Sequence, residues 1–468
     1  MDDCCLEKVV VFDDTVTLSH PKSVYFKDWV ASDHQSVLEL YQQRKAQLQE
    51  QDLATIIYTS GTTGEPKGVM LDHHNLTQGC VNHDIKYDLS DNDSSLCFLP
   101  LSHVFERSWT YYMLHKGICN TYNADPKQIA EVIKEVKPTV MCSVPRLYEK
   151  IYHSIYAKLQ NASFAKKKLF NWSVSVGKKA EKYMNNNQPL PSVLNMQYQL
   201  ADKLVFSKIR EQLGGRLKFM PCGGAFLSAE ITSFFKMAGL PVIIGYGLTE
   251  TTATVTSFDL EQCTLGTVGV VLPNTEIKIG DNDEILVRGT GVMKGYYNKP
   301  EETAKVFDGE WFKTGDAGKI DEQGNLIITD RIKDLIKTSG GKYVAPQHLE
   351  TVLINSGFIS QVIVVGEGKP YTTALLVPDF ETLKAWATHK EIKFNDIDEL
   401  ITNKRVIKKY NEIVDELQQC LAQFEKVKKF TLMPREFSME AGEMTPTFKP
   451  KRKVITEKFN EIIEKMYA

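Results

Sequence analysis

The 468-residue chain contains no apolar run near the ~20 residues that a membrane-spanning helix needs, so no spanning helix is expected. It has no C-x-x-C pair. Its nine cysteines (Cys4, Cys5, Cys80, Cys97, Cys119, Cys142, Cys222, Cys263 and Cys420) are scattered and odd in number, which fits a reducing cytoplasm better than a disulfide framework. None of the ten histidines groups with a cysteine at metal-ligand spacing. His73 and His74 are adjacent, and adjacent residues rarely face one ligand, so no zinc site is read. Charge of either sign is not in excess: 56 Lys and Arg against 59 Asp and Glu leave a net −3. That balance argues against a general nucleic-acid binder and leaves a phosphorylated small molecule open. The first residues, MDDCCLEKVVVFDD, lack a basic region followed by a long apolar stretch, so no secretory signal is expected. Internal repeats and low-complexity tracts are also missing.

What remains is the composition of a globular protein, 42% hydrophobic and 25% charged, long enough for two to four domains. Residues 53–59 (LATIIYT) are apolar and β-branched and read as a buried strand. Short strands are also expected at 138–144, 217–221 and 241–244, with helical stretches between them. Strands alternating with helices imply a layered α/β core. Residues 148–186 read as helical and lysine-rich, with Ile151, Ile155 and Leu159 at helical spacing. A solvated lysine face over a buried stripe is the plain reading; a face for peripheral contact with a membrane surface is the alternative. Between about 264 and 330, short strands with glycine turns read as antiparallel β structure. A boundary is expected near Asp330, dividing a large region 1–330 from a small α+β domain 331–468. In the latter, Val406, Tyr410, Ile413, Leu417, Cys420 and Phe424 form one stripe of a helix through 403–425.

The most informative segment is YTSGTTGEPKG, residues 58–68. A strand delivers Thr59, Ser60, Gly61, Thr62, Thr63 and Gly64 into one loop, and Lys67 follows. Hydroxyls and bare backbone N–H groups donate to phosphate oxygens, glycine permits close backbone approach, and lysine adds a point charge. The loop is not a Walker A loop, because Gly68 rather than Ser or Thr follows Lys67.

This segment resembles the phosphate loop of the AMP-forming adenylating enzymes, which include acyl-CoA synthetases, luciferases and peptide-synthetase adenylation domains. YGLTE (246–250), WFKTGD (311–316) and DRIKDLIK (330–337) are similar to further motifs of that family in the same order, and TPTFK (445–449) with Arg452 resembles its C-terminal lysine motif. The resemblance covers the chain from about residue 53 onward. It implies a large α/β region of layered sheets and helices with a β-rich subdomain, and a small mobile C-terminal domain. It also implies ATP, Mg²⁺ and CoA as ligands. Tyr246 would stack on adenine, with Gly223, Gly224 and Ala225 lining the base and Gly247 beside them. Thr249 and Glu250 offer hard oxygens to Mg²⁺. Asp316 would accept from the ribose hydroxyls, and Arg331 would add a contact. Lys449 would stabilise the charge that gathers at the α-phosphate; alone, KPKRK reads as a solvated basic run. Lys333 falls at the family's hinge. Gly340, Gly341 and Lys342 resemble the segment that meets CoA after the small domain rotates, though a simple turn would look the same.

LPLSHVFER (99–107) and SVPRLYEKIY (143–152) resemble the long-chain branch, with His103 beside the substrate carboxylate and Tyr148 where some members carry a gating Trp. The acid would then be a fatty acid, activated to acyl-AMP and passed to CoA. Transfer to a carrier-protein thiol and nucleotide binding without turnover are the alternatives. Family members carry a longer stretch before the phosphate loop, so the resemblance implies a chain shortened at its front. Cys222, beside Gly223, reads as a small core residue rather than a nucleophile. Acyl length and oligomeric state are left open.

Overall fold

The computed structural model describes residues 7–31, 37–59, 65–160, 162–186, 188–259, 263–332, 335–419, 421–445 and 450–468. The chain divides into two compact units, Met1–Asp52 and Leu53–Ala468. In the first, the strands Val9–Val11 and Ser23–Tyr25 pair in parallel. Its helices Phe26–Val30 and Leu38–Gln47 bury no residue.

In the second unit a mainly parallel sheet grows outward from Ser94–Cys97. This strand pairs with Cys119–Tyr122 on one side and bridges to Val140 on the other, and the 140–143 segment bridges in turn to Phe219 and Cys222. Met220–Cys222 pairs in parallel with Val242–Tyr246, and antiparallel Thr256–Ser257 and Val270–Val271 complete the edge. The segment expected as a strand at 138–144 contributes only bridges, since Pro138 and Pro145 lack the N–H donors that would extend a ladder at either end. Parallel neighbours require crossovers. The helices Val104–His115, Ile129–Val136 and Ala229–Met237 supply them, and a helical run from Pro145–Gln160 to Ser207–Glu211 precedes Met220. Leu96, Val140, Met220, Phe206 and Phe235 lie in the resulting core, fully buried.

The lysine-rich region folds as the helices Pro145–Gln160 and Phe164–Met184. Ile151, Ile155 and Leu159 are half-buried against the core, while Tyr148 and Tyr152 of the same helix are buried outright. Tyr148 donates its hydroxyl to the Pro221 carbonyl at 3.1 Å. Among the described residues no helix is long and apolar enough to cross a membrane.

The β-rich stretch is antiparallel, as its glycine turns imply. Thr275–Ile279, Glu284–Gly289 and Trp311–Ile320 pair in succession, and Leu326–Arg331 pairs with Trp311–Ile320. A separate hairpin, Leu53–Thr59 with Lys67–Asp72, gains Gly295–Tyr296 as a third strand.

Residues beyond 335 build two cores about one sheet of Ile359–Val365, Thr373–Pro378 and Lys429–Leu432. The amphipathic helix is shorter than its periodicity suggests, Lys404–Leu417, with Val406, Tyr410 and Ile413 buried. Gln418 ends it: its side chain donates to the Val427 carbonyl and accepts from the Val427 N–H, both at 3.0 Å, turning the chain back toward the sheet. Phe424 is exposed beyond that turn, and Cys420 lies outside the described residues. Arg146 ties this region to the parallel sheet's helices through the Ser360 carbonyl and hydroxyl, at 2.6 and 2.8 Å.

Candidate active site

A cleft of about 690 Å³ opens where the parallel strands end at their carboxyl termini. This is where an open α/β sheet binds ligands, because the loops leaving the strands converge there. Cys97 leads into the loop bearing Pro100, Ser102 and His103, Cys222 into Gly223 and Gly224, and Tyr246 into Gly247, Thr249 and Glu250; the three loop groups line the cleft.

Space is tight at two of these glycines and excludes any side chain at the second. A Cβ on Gly223 would meet the Phe105 ring at 3.3 Å. One on Gly247 would lie 2.1 Å from the Ala253 carbonyl oxygen. The second closeness reflects a tight turn: Ala253 donates to the Leu248 carbonyl at 3.1 Å, Leu248 donates to the Thr251 hydroxyl at 2.9 Å, and Thr252 and Ala253 both adopt positive φ. The turn presents Thr249 and Glu250 at the strand end.

Opposite, Thr59 and Lys67 are cross-strand partners at the tip of the first hairpin. The Lys67 ammonium sits 2.7 Å from Glu302 and 4.9 Å over the Tyr296 ring. Tyr296 donates its hydroxyl to Glu250 at 2.9 Å. Lys305 and Lys67 hold the Glu302 carboxyl down to about 2.

A third group comes from the β-rich sheet. Asp316 and Arg331 face each other in antiparallel register, and the guanidinium Nε lies 3.1 Å from the carboxylate. Gly315, at φ +72°, kinks the strand just before Asp316. Tyr246 donates its hydroxyl to the other Asp316 oxygen at 2.8 Å, and burial pushes that phenol's ionisation well above its ordinary value.

His103 is the N-cap of Val104–His115, its Nδ1 accepting from the Phe105 N–H at 3.3 Å. One turn on, Glu106 is wholly buried. One of its oxygens accepts from the Leu99 N–H at 3.1 Å and from the Cys142 thiol at 3.6 Å, while the other has no partner. Desolvation raises this carboxyl to about 7.

The cleft gathers hydroxyl, carboxylate, ammonium and guanidinium groups of the kinds that contact a nucleoside phosphate. The AMP-binding enzyme family matches residues 5–297, and the AMP-binding enzyme C-terminal domain matches residues 333–468. The chain belongs to the AMP-binding enzyme family.

Similar curated proteins include long-chain-fatty-acid–CoA ligase FadD15 of Mycobacterium bovis, 37% identical over 432 residues, 91% of this chain and 71% of that protein. Long chain acyl-CoA synthetase 7, peroxisomal, of Arabidopsis thaliana is 35% identical over 438 residues, covering 89% and 61%. Among solved structures, the adenylation domain of a carboxylate reductase from Mycobacterium chelonae superposes with a TM-score of 0.70 at 24% identity, covering 90% of this chain and 60% of that one. O-succinylbenzoate coenzyme A synthetase from Bacillus subtilis, in complex with ATP and magnesium ion, gives 0.60 at 22% identity, covering 87% and 70%. These structural likenesses show the α/β adenylation-domain fold.

Of the residues singled out from the sequence, Thr59, Lys67, His103, Gly223, Gly224, Gly247, Thr249, Glu250, Asp316 and Arg331 all line the cleft of this AMP-binding enzyme. Ser60, Gly61, Thr62, Thr63, Gly64, Lys333 and Lys449 lie outside the described residues. Ala225 is exposed just past Gly224 and is not among the lining residues. Tyr246 is buried between the lining residues Gly245 and Gly247, with its hydroxyl engaged by Asp316. Gly340, Gly341 and Lys342 are exposed in the turn between Ile336–Lys337 and Tyr343–Val344, away from the cleft lining. Cys222 is buried with its thiol pushed well up by desolvation, in keeping with an inert core residue. Tyr296, Glu302, Phe105, Thr445 and Lys451 also line the cleft and were not singled out. Phe105, Thr445 and Lys451 lie within or beside the segments LPLSHVFER and TPTFK, whereas Tyr296 and Glu302 carry no local signal, because they join the site through Glu250 and Lys67, distant in sequence.

Proposed function

We propose that this chain activates a long-chain fatty acid with ATP and passes the acyl group to CoA. The acid's carboxylate oxygen bonds to the α-phosphorus of ATP while the bond to pyrophosphate breaks, giving acyl-AMP. The CoA thiolate then bonds to the acyl carbon and AMP leaves. The chief support is the Asp316–Arg331–Tyr246 constellation facing Lys67, Thr249 and Glu250 across one cleft, in a chain whose curated relatives are named as ligases of long-chain acids.

Asp316 holds the ribose hydroxyls, Arg331 adds a contact, and Tyr246 stacks on the base while its hydroxyl orients the Asp316 carboxylate. Gly223, Gly224 and Ala225 border the base. The 59–64 loop and Lys67 take the phosphates. Lys67 exchanges Glu302 for phosphate oxygens, which keeps the ammonium oriented before ATP arrives. Thr249 and Glu250 suit Mg²⁺. Both offer hard oxygens beside the expected phosphates, and the Glu250 carboxylate is already oriented by the Tyr296 hydroxyl at 2.9 Å. When bound, Mg²⁺ would neutralise charge on the phosphates. His103 lies beside the substrate carboxylate.

Residues 331–468 act as the small mobile domain, with Lys333 as hinge and Gly340, Gly341 and Lys342 meeting CoA in the second half-reaction. Lys449 stabilises the adenylation transition state. Thr445 and Lys451, which bracket its segment, both line the cleft, and this favours that role.

Pyrophosphate release with palmitate and ATP tests the first step, and CoA-dependent acyl-CoA formation without any carrier protein tests the second. Folded protein that binds ATP yet makes no acyl-AMP would sink the proposal. Lys449→Ala should abolish pyrophosphate release with the thermal midpoint unchanged; unaltered release would remove Lys449 from its role.

A further inference from the structure

The helix Pro145–Gln160 belongs to the large region, and two of its residues reach across to the small one. The Arg146 guanidinium donates to the Ser360 carbonyl at 2.6 Å and to the Ser360 hydroxyl at 2.8 Å. His153, two turns on along the same face, lies against Gly357: a Cβ there would stand 3.3 Å from its Nδ1. Ser360 is buried, and its hydroxyl donates to Glu436 at 3.1 Å. A planar guanidinium held at two points fixes direction as well as distance. Ser360 is in turn joined to the segment that reaches the cleft. Its neighbour Gln361 exchanges two hydrogen bonds with the Phe437 backbone, at 2.7 and 3.2 Å. Arg435, two residues before Phe437, grips the wholly buried Glu443 carboxylate at 2.6 and 2.8 Å. The Glu443 carbonyl accepts from the Lys451 N–H at 2.8 Å, and Met444 and Pro450 form an antiparallel bridge. A continuous frame of hydrogen bonds and short backbone links therefore runs from Arg146 to Thr445 and Lys451, which line the cleft.

We infer that Arg146 is a positioning residue for acyl-AMP formation: through Ser360 it fixes the small domain in the orientation that brings Thr445 and Lys451 to the cleft. In the function proposed above, on which this role rests, the small domain turns before transfer to CoA, and the Arg146–Ser360 contact opens with that turn. Arg146 thus serves the first half-reaction and not the second, although it does not line the cleft itself.

The test separates the two half-reactions in single-turnover experiments on the full chain. Pyrophosphate release from palmitate and ATP reads the first, and palmitoyl-CoA formation from synthetic palmitoyl-AMP and CoA reads the second. Arg146→Ala removes two hydrogen bonds from a charged donor, so it should slow the first by roughly tenfold or more and leave the second unchanged or faster. Arg146→Lys keeps a charge beside the buried Glu149, 3.8 Å from the guanidinium, but lacks the fork, and should show the same split. Ser360→Ala should slow the first step less, and combining it with Arg146→Ala should add nothing further, because both act through one contact. Small-angle X-ray scattering of the nucleotide-free chain reads the orientation without turnover, and the distance distribution should broaden in both Arg146 variants. A fall of both half-reactions together, a fall of neither, or an additive double variant would overturn the inference. If the unmodified chain released no pyrophosphate, the proposed function would fail, and unchanged scattering in the variants would overturn the positioning role separately.

Discussion

The buried Glu106 carboxyl makes a pH-dependent contribution to stability that can be isolated by one substitution. It is wholly inside the protein, one oxygen tied to the Leu99 N–H and the other without a partner, and burial raises it from an ordinary 4.5 to about 7. The folded value lies above the unfolded one. The carboxyl's favourable contribution is therefore fully present below about pH 4.5 and is lost as pH rises through about 7. The interval corresponds to about 3 kcal/mol. The Cys97 and Cys142 thiols beside it are pushed up by their own burial, Cys97 to about 12, so neither ionises in that window. Glu106→Gln keeps the shape and an oxygen to accept from Leu99 but removes the titration. Urea unfolding of the two proteins at about pH 5 and about pH 8 should show the unmodified chain losing about 3 kcal/mol relative to the variant between the two. Comparing the pair at each pH cancels every other titrating group. A protonated-carboxyl band in the infrared spectrum, absent from the variant, should fade over the same range. A stability difference that does not change with pH would refute the reasoning.

Two other outcomes follow from the cleft. Tyr246→Phe removes one charge-assisted hydrogen bond to Asp316 and should weaken AMP binding by roughly tenfold or more, as read by calorimetry, with the fold intact. Gly247→Ala would press a methyl into the Ala253 carbonyl, 2.1 Å away, so the turn carrying Thr249 and Glu250 must shift. A stability loss of about 2 kcal/mol or more and loss of Mg-ATP binding are expected, measured by thermal unfolding and calorimetry.

Legibility in the sequence followed the range of the interaction. LATIIYT became the strand Leu53–Thr59 because a β-branched run declares itself locally. The helix expected through 403–425 stops at Leu417 because Gln418 engages Val427, nine residues on, which periodicity does not report. Thr59 stood out because it sits in a compact run of phosphate-binding residue types, and Thr249, Glu250 and Asp316 because their segments resemble the family's motifs. Tyr296 and Glu302 did not, since their relevance comes only from Glu250 and Lys67, 46 and 235 residues away in the chain.

The amino-acid order alone determined the chemical vocabulary of this protein: a hydroxyl- and glycine-rich loop with a lysine, acidic turns after strands, an alternation of strand and helix, and family motifs in sequence. Those are properties of short segments, where spacing and residue type suffice. Tertiary structure decided what each group faces. The antiparallel register sets Arg331 against Asp316, strand packing brings the Tyr246 hydroxyl to the same carboxylate, and core burial makes Glu106 titrate near neutrality. Register, packing and desolvation arise from contacts between distant segments, so no local pattern carries them.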